Sequence, residues 1–390
     1  MKILHTSDWH VGKVLKGRDR HDEHTAALRS IVATARDEDV DLVLVAGDLF
    51  DSAAPSAKAQ GLVMNALLAL RENGRQVVAI AGNHDNSSLL DAVYRPVLGQ
   101  LGLHLLGKPR RPADGGLLTL RTRSGQTVNV AALPFLSHRY AVGAAEALLH
   151  EFSEHSRDYA SQISAMIGLL TGGFTPDAVN VVMTHATLLG GRRGGGERDV
   201  QTSLDYEVPS GMFPPSAHYA ALGHLHRQQE IPGPCPVFYS GSPLPIDFGE
   251  EQNDPSVLII TAAPGIRADT WPVPVTGGRA LRTLRGTLDE VIAAGEQQGD
   301  AYLRVVLAEP GRAGLGDLVR DKLPNALEVV LDDAHRPRPG GRGADQATRA
   351  GRSPLDLFGD YLTEQNIEDP RLNKMFAGLL DEVTTTPLEA

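Results

Sequence analysis

Apolar runs that end in polar side chains recur along the first two-thirds of this chain, and they constrain its fold more than any other feature. The runs alternate with segments of helical periodicity, such as Leu28, Ile31 and Ala35 at i, i+3 and i+7. Buried strands that alternate with helices predict an α/β fold with helices covering the sheets. Ligands in such folds gather beyond the carboxyl ends of the strands. The residues that end each run are therefore the first candidates for function.

Metal-binding residue types end five of these runs. The six runs are 2–6, 41–48, 76–85, 128–134, 180–185 and 219–226, of which 128–134 ends in Leu-Pro without such a residue. The candidate ligands at or just beyond the run ends are Asp8, His10, Asp48, Asn83, His185, His224 and His226. His84 and Asp85 follow Asn83 directly. No G-x-G-x-x-G follows the first strand, which argues against a dinucleotide-binding fold.

This set of side chains is sufficient to hold two metal ions that share one bridging carboxylate. Two ions roughly 3.5–4 Å apart clamp a phosphate, generate hydroxide and stabilise the leaving oxygen. A mixed oxygen and nitrogen donor set without thiolate suits manganese, iron or zinc. Each motif alone has a plain structural explanation, since Gly-Asp often marks a turn and a single histidine is often structural. Their joint occurrence at strand ends predicts a dinuclear site for phosphate-ester hydrolysis.

The composition narrows the setting of this chemistry. A chain of 390 residues predicts two or three domains. The single cysteine, Cys235, excludes an intrachain disulfide and a cysteine-based zinc cluster, and it fits a reducing compartment. No apolar run is long enough for a membrane span, and Asp8 and His10 interrupt any signal-peptide core. We therefore expect a soluble, cytoplasmic protein.

The charge of the chain bears on its partners. The formal net charge is −11, whereas a protein that grips nucleic acid unaided usually carries a basic surface. Binding to a polyanion would therefore depend on local basic clusters, on bound metal or on a partner. One local cluster, Arg192, Arg193 and Arg198, lies in a Gly-rich stretch shortly after His185. A solvated loop without a ligand explains this cluster equally well.

Four segments are predicted along the chain. A large domain that carries the candidate metal ligands covers 1–275, a small α/β domain covers 279–332, a flexible basic linker covers 333–352, and a helix pair covers 353–383. The first helix of the pair has Ser353 as a predicted N-cap. The second helix carries an apolar stripe at Leu372, Met375, Phe376, Leu379, Leu380 and Val383. Such a stripe must be covered, either by the small domain or by a partner.

The motifs D-x-H, G-D, G-N-H-D, H and G-H-x-H resemble those of the calcineurin-like metallophosphoesterase superfamily over roughly residues 1–275. Five blocks resemble more closely the SbcD family of bacterial double-strand-break nuclease subunits: HTSDWHVGK, VAGDLFD, AGNHD, YAALGHLHR and YSGSPLPIDFGE. The resemblance implies a sandwich of sheets flanked by helices, a small α/β capping domain and a C-terminal helix pair.

The resemblance also implies roles for the candidate residues. Asp8, His10, Asp48 and His226 would hold a first metal ion; the bridging Asp48 with Asn83, His185 and His224 would hold a second. His84 would act at the leaving 3′ oxygen, and Asp85 would orient its ring. The family's activities are manganese-dependent 3′→5′ exonuclease on duplex DNA and endonuclease on single-stranded or hairpin DNA. Its partner is SbcC, a coiled-coil ATPase, and a homodimer bound to two SbcC chains is implied.

Two other classes of function remain alternatives at this point. One is a phosphatase or phosphodiesterase of the same superfamily acting on proteins or small molecules, which would have no need of the C-terminal third. The other is a scaffold that keeps the fold and only recruits partners, which should have lost some ligands. Phosphoprotein phosphatases also carry Arg-Gly and Glu where this chain has Asp51-Ser52 and Asp85.

Overall fold

The computed structural model describes residues 1–148, 158–197, 206–335, 353–364, 367 and 369–385. These residues group into two units. The larger is formed by Met1–Lys13 with Asp19–Gly278, and the smaller by Val14–Arg18 with the described residues from Arg279 onward. Nothing in the sequence pattern indicated that residues 14–18 belong with the smaller unit.

The described strands and helices fall close to the predicted runs. In chain order the strands are Lys2–Thr6 (β1), Val14–Leu15 (β2), Arg18–Asp19 (β3), Leu42–Val45 (β4), Gln76–Ile80 (β5), Leu103–Leu106 (β6), Leu117–Arg121 (β7), Thr127–Leu133 (β8), Val179–His185 (β9), Thr187–Leu188 (β10), Glu207–Val208 (β11), Tyr219–Gly223 (β12), Gln229–Ile231 (β13), Val237–Tyr239 (β14), Ser256–Ala263 (β15), Ile266–Pro274 (β16), Leu281–Gly286 (β17), Tyr302–Leu307 (β18) and Ala326–Leu331 (β19). The α-helices are His21–Asp37 (α1), Ala57–Arg71 (α2), Ser87–Leu89 (α3), Arg95–Gly99 (α4), His138–Leu148 (α5), Tyr159–Thr171 (α6), Leu288–Gly295 (α7), Leu315–Lys322 (α8), Pro354–Glu364 (α9) and Pro370–Thr385 (α10).

Two six-stranded mixed sheets form the centre of the larger unit. Their strand orders are β16-β15-β1-β4-β5-β6 and β13-β14-β12-β9-β8-β7. One apolar core joins the two sheets face to face, with Leu44 and Val78 from the first and Val130 and Val181 from the second. Helices α1 and α2 cover the outer face of the first sheet, and α5 and α6 cover that of the second. The predicted sandwich of sheets flanked by helices is confirmed.

The strand register aligns the carboxyl ends of the strands that precede the candidate site residues. In the first sheet Thr6 pairs with Val45, which in turn pairs with Ala79, so β1, β4 and β5 end together. In the second sheet Gly223 pairs with His185, so β12 and β9 also end together. Because all five strands are parallel to their neighbours in this set, the loops that follow them leave from the same edge of each sheet.

The smaller unit contains a three-stranded parallel sheet, β17-β18-β19, with the helices α7 and α8. Thr287 and Glu290 form a capping box at the start of α7. Val305 and Val319 are among the side chains of its separate apolar core. Lys16 reaches Glu328 on β19 at 2.9 Å, which explains why residues 14–18 group with this unit.

The first C-terminal helix begins where the sequence predicted, at Pro354. Ser353 Oγ accepts a hydrogen bond from the backbone N–H of Asp356 at 3.1 Å, as expected of an N-cap. Phe358 of α9 stacks on Phe376 of α10, with ring centroids 4.1 Å apart. The greater part of the predicted linker, 336–352, lies outside the described residues. Among the helices that are described, none has both the length and the apolarity needed to cross a bilayer.

Candidate metal centre

The structure brings all nine predicted site residues together at the carboxyl ends of β1, β4, β5, β9 and β12. Each is buried, with exposures between 0% and 9%: Asp8, His10, Asp48, Asn83, His84, Asp85, His185, His224 and His226. Three sets of potential ligand atoms lie within 4.8 Å of one another: Asp8, His10 and His226; His10, Asp48 and His84; and Asp8, Asp48 and His185. A buried cluster of carboxylates and imidazoles needs compensating charge, which a divalent cation supplies.

Four of these residues adopt backbone conformations that are uncommon outside glycine. The φ angles are 54° at Asp8, 45° at His10, 52° at Asp48 and 105° at His224. Positive φ in a residue with a Cβ stores strain, and such residues cluster at functional sites. The strain is held by contacts between loops that come from different strands.

Hydrogen bonds lock these loops to one another. The backbone N–H of His10 donates to the Asp48 carbonyl at 3.0 Å, and that of His84 donates to Asp48 Oδ1 at 2.8 Å. The backbone N–H of His224 donates to Asp8 Oδ1 at 3.0 Å, which joins the two sheets. The positions of these candidate ligands are therefore set by main-chain contacts across the sandwich.

Glycines at two motif positions permit this close approach. A Cβ on Gly82 would collide with the backbone nitrogen and side chain of Asp48. A Cβ on Gly223 would collide with the Ala46 carbonyl. The glycines of G-N-H-D and G-H-x-H are therefore required by the packing of neighbouring loops.

One ligand group combines Asp8, His10 and His226. The Nε2 atoms of His10 and His226 lie 3.1 Å apart. Two imidazole lone pairs cannot face each other at that distance without a proton or a cation between them. Asp8 accepts a hydrogen bond from Ser7 Oγ at 2.6 Å, which orients its carboxylate. These contacts fit a cation bound by all three side chains.

The other ligand group converges on Asn83. Its Oδ1 lies 2.9 Å from His185 Nε2 and 2.8 Å from His224 Nδ1. Asp48 Oδ2 lies 3.5 Å from His185 Nε2 and 3.6 Å from His10 Nε2, and so stands between the two groups. His185 Nδ1 must donate to the Ala46 carbonyl, 2.8 Å away. The arrangement fits a second cation and a carboxylate shared by both.

The electrostatics of the cluster favour bound positive charge. Burial lowers the pKa of His185, but the Asp48 and Asp8 carboxylates and the hydrogen bond to the Ala46 carbonyl together raise that pKa to about 9. Burial likewise lowers the pKa of His226, and Glu250 raises it to about 10. Burial and, to a smaller extent, the neighbouring His185 lower the pKa of His224 to about 3. Metal ions that bind here displace protons from His185 and His226.

The expectation that Asp85 orients the ring of His84 is wrong. The Asp85 carboxylate accepts hydrogen bonds from the backbone N–H groups of Leu49, Phe50 and Gly82, at 3.2, 3.0 and 2.9 Å. The ring of His84 is held instead through Nδ1, which lies 2.8 Å from the Asp51 carbonyl. These three hydrogen bonds occupy the Asp85 carboxylate, which thereby connects the Asp48 loop to the Asn83 loop.

Three acidic residues lie near the candidate ligands without having been predicted to act at the site: Glu250 and Glu197 were not singled out from the sequence, and Asp51 was named only as a difference from the phosphoprotein phosphatases. Glu250 Oε1 lies 2.6 Å from His226 Nδ1, and Glu197 accepts hydrogen bonds from the loop that precedes it and from the backbone of His226. Asp51 Oδ1 lies 3.6 Å from His10 Nδ1 and 3.3 Å from Lys13 Nζ. A signal for Glu250 was present, since it ends the block YSGSPLPIDFGE.

The arginine cluster is placed only in part. Arg192 and Arg193 are exposed, whereas Arg198 lies outside the described residues. Gln229 fixes the backbone at Arg192 by accepting from its N–H at 2.8 Å and donating to its carbonyl at 2.7 Å.

Comparison with known proteins identifies the family. The model of the calcineurin-like phosphoesterases matches residues 1–228, and a model described as the type 5 capsule protein repressor C-terminal domain matches 278–366. SbcD of Rhodobacter capsulatus, the D component of the nuclease SbcCD, is 37% identical over 403 residues, covering 100% of this chain and 93% of that protein.

Further relatives and solved structures agree with this assignment or are too remote to bear on it. SbcD of Bacillus subtilis is 37% identical over 286 residues, covering 72% of this chain and 71% of that protein. That of Escherichia coli K12 is 31% identical, covering 77% and 74%. The crystal structure of TT1561 of Thermus thermophilus matches 70% of this chain and 99% of that one at 13% identity, and its TM-score of 0.39 is too low to support an argument. The chain belongs to the calcineurin-like phosphoesterases and, within them, to the SbcD family of the nuclease SbcCD.

Proposed function

We propose that this chain is the metal-dependent nuclease subunit of an SbcCD complex that acts in DNA repair and recombination. Its activities are 3′→5′ exonuclease on double-stranded DNA and endonuclease on single-stranded or hairpin DNA. The observation that carries the proposal is the convergence of the two ligand groups on Asp48, in a chain whose relatives are named as components of a nuclease.

The proposed cofactors are two divalent ions, most favourably Mn²⁺. Asp8, His10, Asp48 and His226 hold the first, while Asp48, Asn83, His185 and His224 hold the second. Oxygen and nitrogen donors without thiolate support manganese. When bound, the two ions supply a hydroxide nucleophile and stabilise charge on the transferring phosphate and the leaving oxygen.

His84 is proposed to protonate or stabilise the leaving 3′ oxygen. Its Nδ1 faces a carbonyl, which only accepts, so Nδ1 carries a proton. Nε2 is therefore the nitrogen that exchanges a proton with substrate. The ring packs edge-on against His10, with centroids 4.6 Å apart, and it is the most exposed of the nine site residues at 9%. Asp85 supports this loop through the main chain.

The proposed partners are SbcC, DNA and a second copy of this chain, in a complex of two copies of each protein. The net charge of −11 supports a partner that supplies much of the DNA grip. The exposed Arg192 and Arg193 are candidates for additional contacts with the DNA backbone.

The test is an assay on labelled DNA. Blunt duplex, single-stranded and hairpin DNA are incubated with the chain and manganese, with and without SbcC and ATP, beside Asp48→Asn prepared in the same way. We expect manganese-dependent cutting that is absent from the variant and that SbcC with ATP extends on duplex and hairpin ends. Hydrolysis of small phosphomonoesters without any cutting of DNA would favour the phosphatase alternative instead.

A further inference from the structure

A buried carboxylate stands directly behind one of the proposed metal ligands. Glu250 is 0% exposed, and its Oε1 lies 2.6 Å from Nδ1 of His226. Its other oxygen, Oε2, accepts a hydrogen bond from the backbone N–H of Ile246 at 2.8 Å. Both oxygens of Glu250 are thus used, one by the ring and one by its own loop.

This contact decides which nitrogen of His226 faces the other ligands. With an anionic oxygen at Nδ1, the ring carries its proton there, and the lone pair of the neutral ring resides on Nε2. Nε2 is the atom that points to His10. A histidine that binds metal typically donates its other N–H to a carboxylate, which fixes the ring's orientation and raises its basicity.

A run of glycines packs onto this pair. A Cβ on Gly196 would collide with Glu250 Oε1, and a Cβ on Gly194 would stand 2.9 Å from His226 Cβ. Glu197 fixes the run by accepting from the backbone N–H groups of Gly194 and Gly195, at 2.5 and 2.7 Å, and from that of His226 at 2.9 Å. The Gly-rich stretch after His185 therefore has a structural task at the site, and it is not merely a spacer.

We propose that Glu250 is a positioning residue that fixes the tautomer and orientation of His226, and that Gly194–Gly196, held by Glu197, is the cover that excludes water from this contact. The proposal rests on the proposed metal site and deepens it. It assigns Glu250 no contact with substrate.

The first test reads the tautomer in the wild-type chain. Nitrogen-15 NMR of the histidine rings is recorded on the zinc-loaded protein, with the His226 signals assigned by their loss in His226→Asn. We expect a protonated Nδ1 and a metal-bound Nε2. A ring bound to zinc through Nδ1 would overturn the proposal, whereas a chain that binds no metal would contradict the proposed function itself.

The second test changes the carboxylate and measures metal binding. Both partners of Glu250 are donors, and an amide accepts from only one of them, so Glu250→Gln opposes the required tautomer. Calorimetry with Mn²⁺ should show one of the two ions bound about 10- to 100-fold more weakly. Glu250→Asp keeps a carboxylate as the acceptor and should lose less manganese affinity than Glu250→Gln does. Glu251→Gln makes the same charge change one residue along and should bind as wild type does.

Gly196→Ala provides an independent route to the same result without altering charge. The added methyl displaces the Glu250 carboxylate, so manganese binding should weaken as it does in Glu250→Gln. Unfolding of each metal-free variant is followed by tryptophan fluorescence and identifies any variant that has lost its fold. If a variant has lost its fold, the proposal is judged by the NMR result on the wild-type chain. Wild-type manganese affinity in a folded Glu250→Gln would also overturn the proposal.

Discussion

At the scale of single residues, Asp48 has the most demanding position in the site. Its Oδ2 stands 3.6 Å from His10 and 3.5 Å from His185, one from each ligand group. Asp48→Asn should abolish hydrolysis and weaken the binding of both metal ions, because a neutral amide cannot neutralise two cations. The variant can keep the bond from the His84 N–H to its Oδ1, so the loop should remain in place. Calorimetry with manganese is the measurement, and two tightly bound ions in the variant would contradict the bridging role.

Substitution of His84 should slow the chemical step without weakening metal binding. His84→Gln is expected to slow cleavage by about 10²- to 10⁴-fold, the usual contribution of a general acid, and to leave manganese affinity near that of wild type. Single-turnover cleavage of duplex ends and calorimetry on the same sample test this together. Loss of an ion would instead make His84 a ligand, which its proximity to His10 and Asp48 allows.

His5 gives the fold a pH dependence that is separate from the metal ligands. Its Nε2 faces the Leu222 carbonyl and its Nδ1 faces the Tyr219 hydroxyl, so the ring is neutral and fully used. Burial lowers the pKa of His5 to about 3 from the unfolded value of 6.5. Between these pH values the unfolded chain binds the extra proton, so the free energy of unfolding falls as pH falls, by up to about 1.4 kcal/mol per pH unit.

His5→Gln should remove this part of the pH dependence. The destabilisation caused by the substitution should therefore shrink as pH falls from about 6.5 towards 3. Denaturant unfolding in EDTA, followed by tryptophan fluorescence at several pH values, measures the difference between wild type and variant. A constant difference across pH would contradict the prediction.

At the scale of elements, the C-terminal helix pair keeps apolar surface that its own packing does not cover. Phe376 of α10 stacks on α9, yet Met375 is 58% exposed and Leu379 is 51% exposed. We expect this face to dock onto SbcC, since an apolar helix face in a groove or on a coiled coil is a common mode of recognition. Deleting 353–390 should abolish co-purification with SbcC and leave manganese-dependent cutting of single-stranded DNA intact.

A point-variant pair makes the same prediction without truncation. Met375→Lys combined with Leu379→Lys places charge on the exposed face, whereas Asn373→Lys places it on the opposite side of α10. Only the first should lose SbcC in a pull-down at equal protein concentrations. Full recovery of SbcC with the double variant, or with the deletion, would show that these helices are not the docking site.

At the scale of the whole molecule, metal should stabilise one unit and not the other. All candidate ligands and both tryptophans, Trp9 and Trp271, lie in the larger unit. Manganese at about 100 times its dissociation constant stabilises the state that binds it by about 2.7 kcal/mol. EDTA should therefore lower the midpoint temperature of the unfolding transition that tryptophan fluorescence reports. A second calorimetric transition, from the smaller unit, should keep its midpoint temperature. Equal shifts of both transitions would contradict this separation.

The sequence alone determined the elements and the types of the candidate ligands. Periodicity located β1, β4, β5, β9 and β12, because a fully buried strand must be apolar along its length until it ends. The polar residues at those ends could therefore be recognised individually, and Ser353 marked the start of the first C-terminal helix by local capping chemistry.

Contacts between distant segments were decided only by the tertiary structure. The family resemblance implied that Asp85 orients the ring of His84, yet its carboxylate accepts hydrogen bonds from the backbone N–H groups of Leu49, Phe50 and Gly82. Glu250 lies 24 residues from His226 and reaches it only because the chain folds back between them. The attachment of residues 14–18 to the smaller unit has the same origin. Contacts of this kind join segments that are distant in the sequence, so they depend on the three-dimensional course of the backbone. A local pattern of residue types does not predict that course.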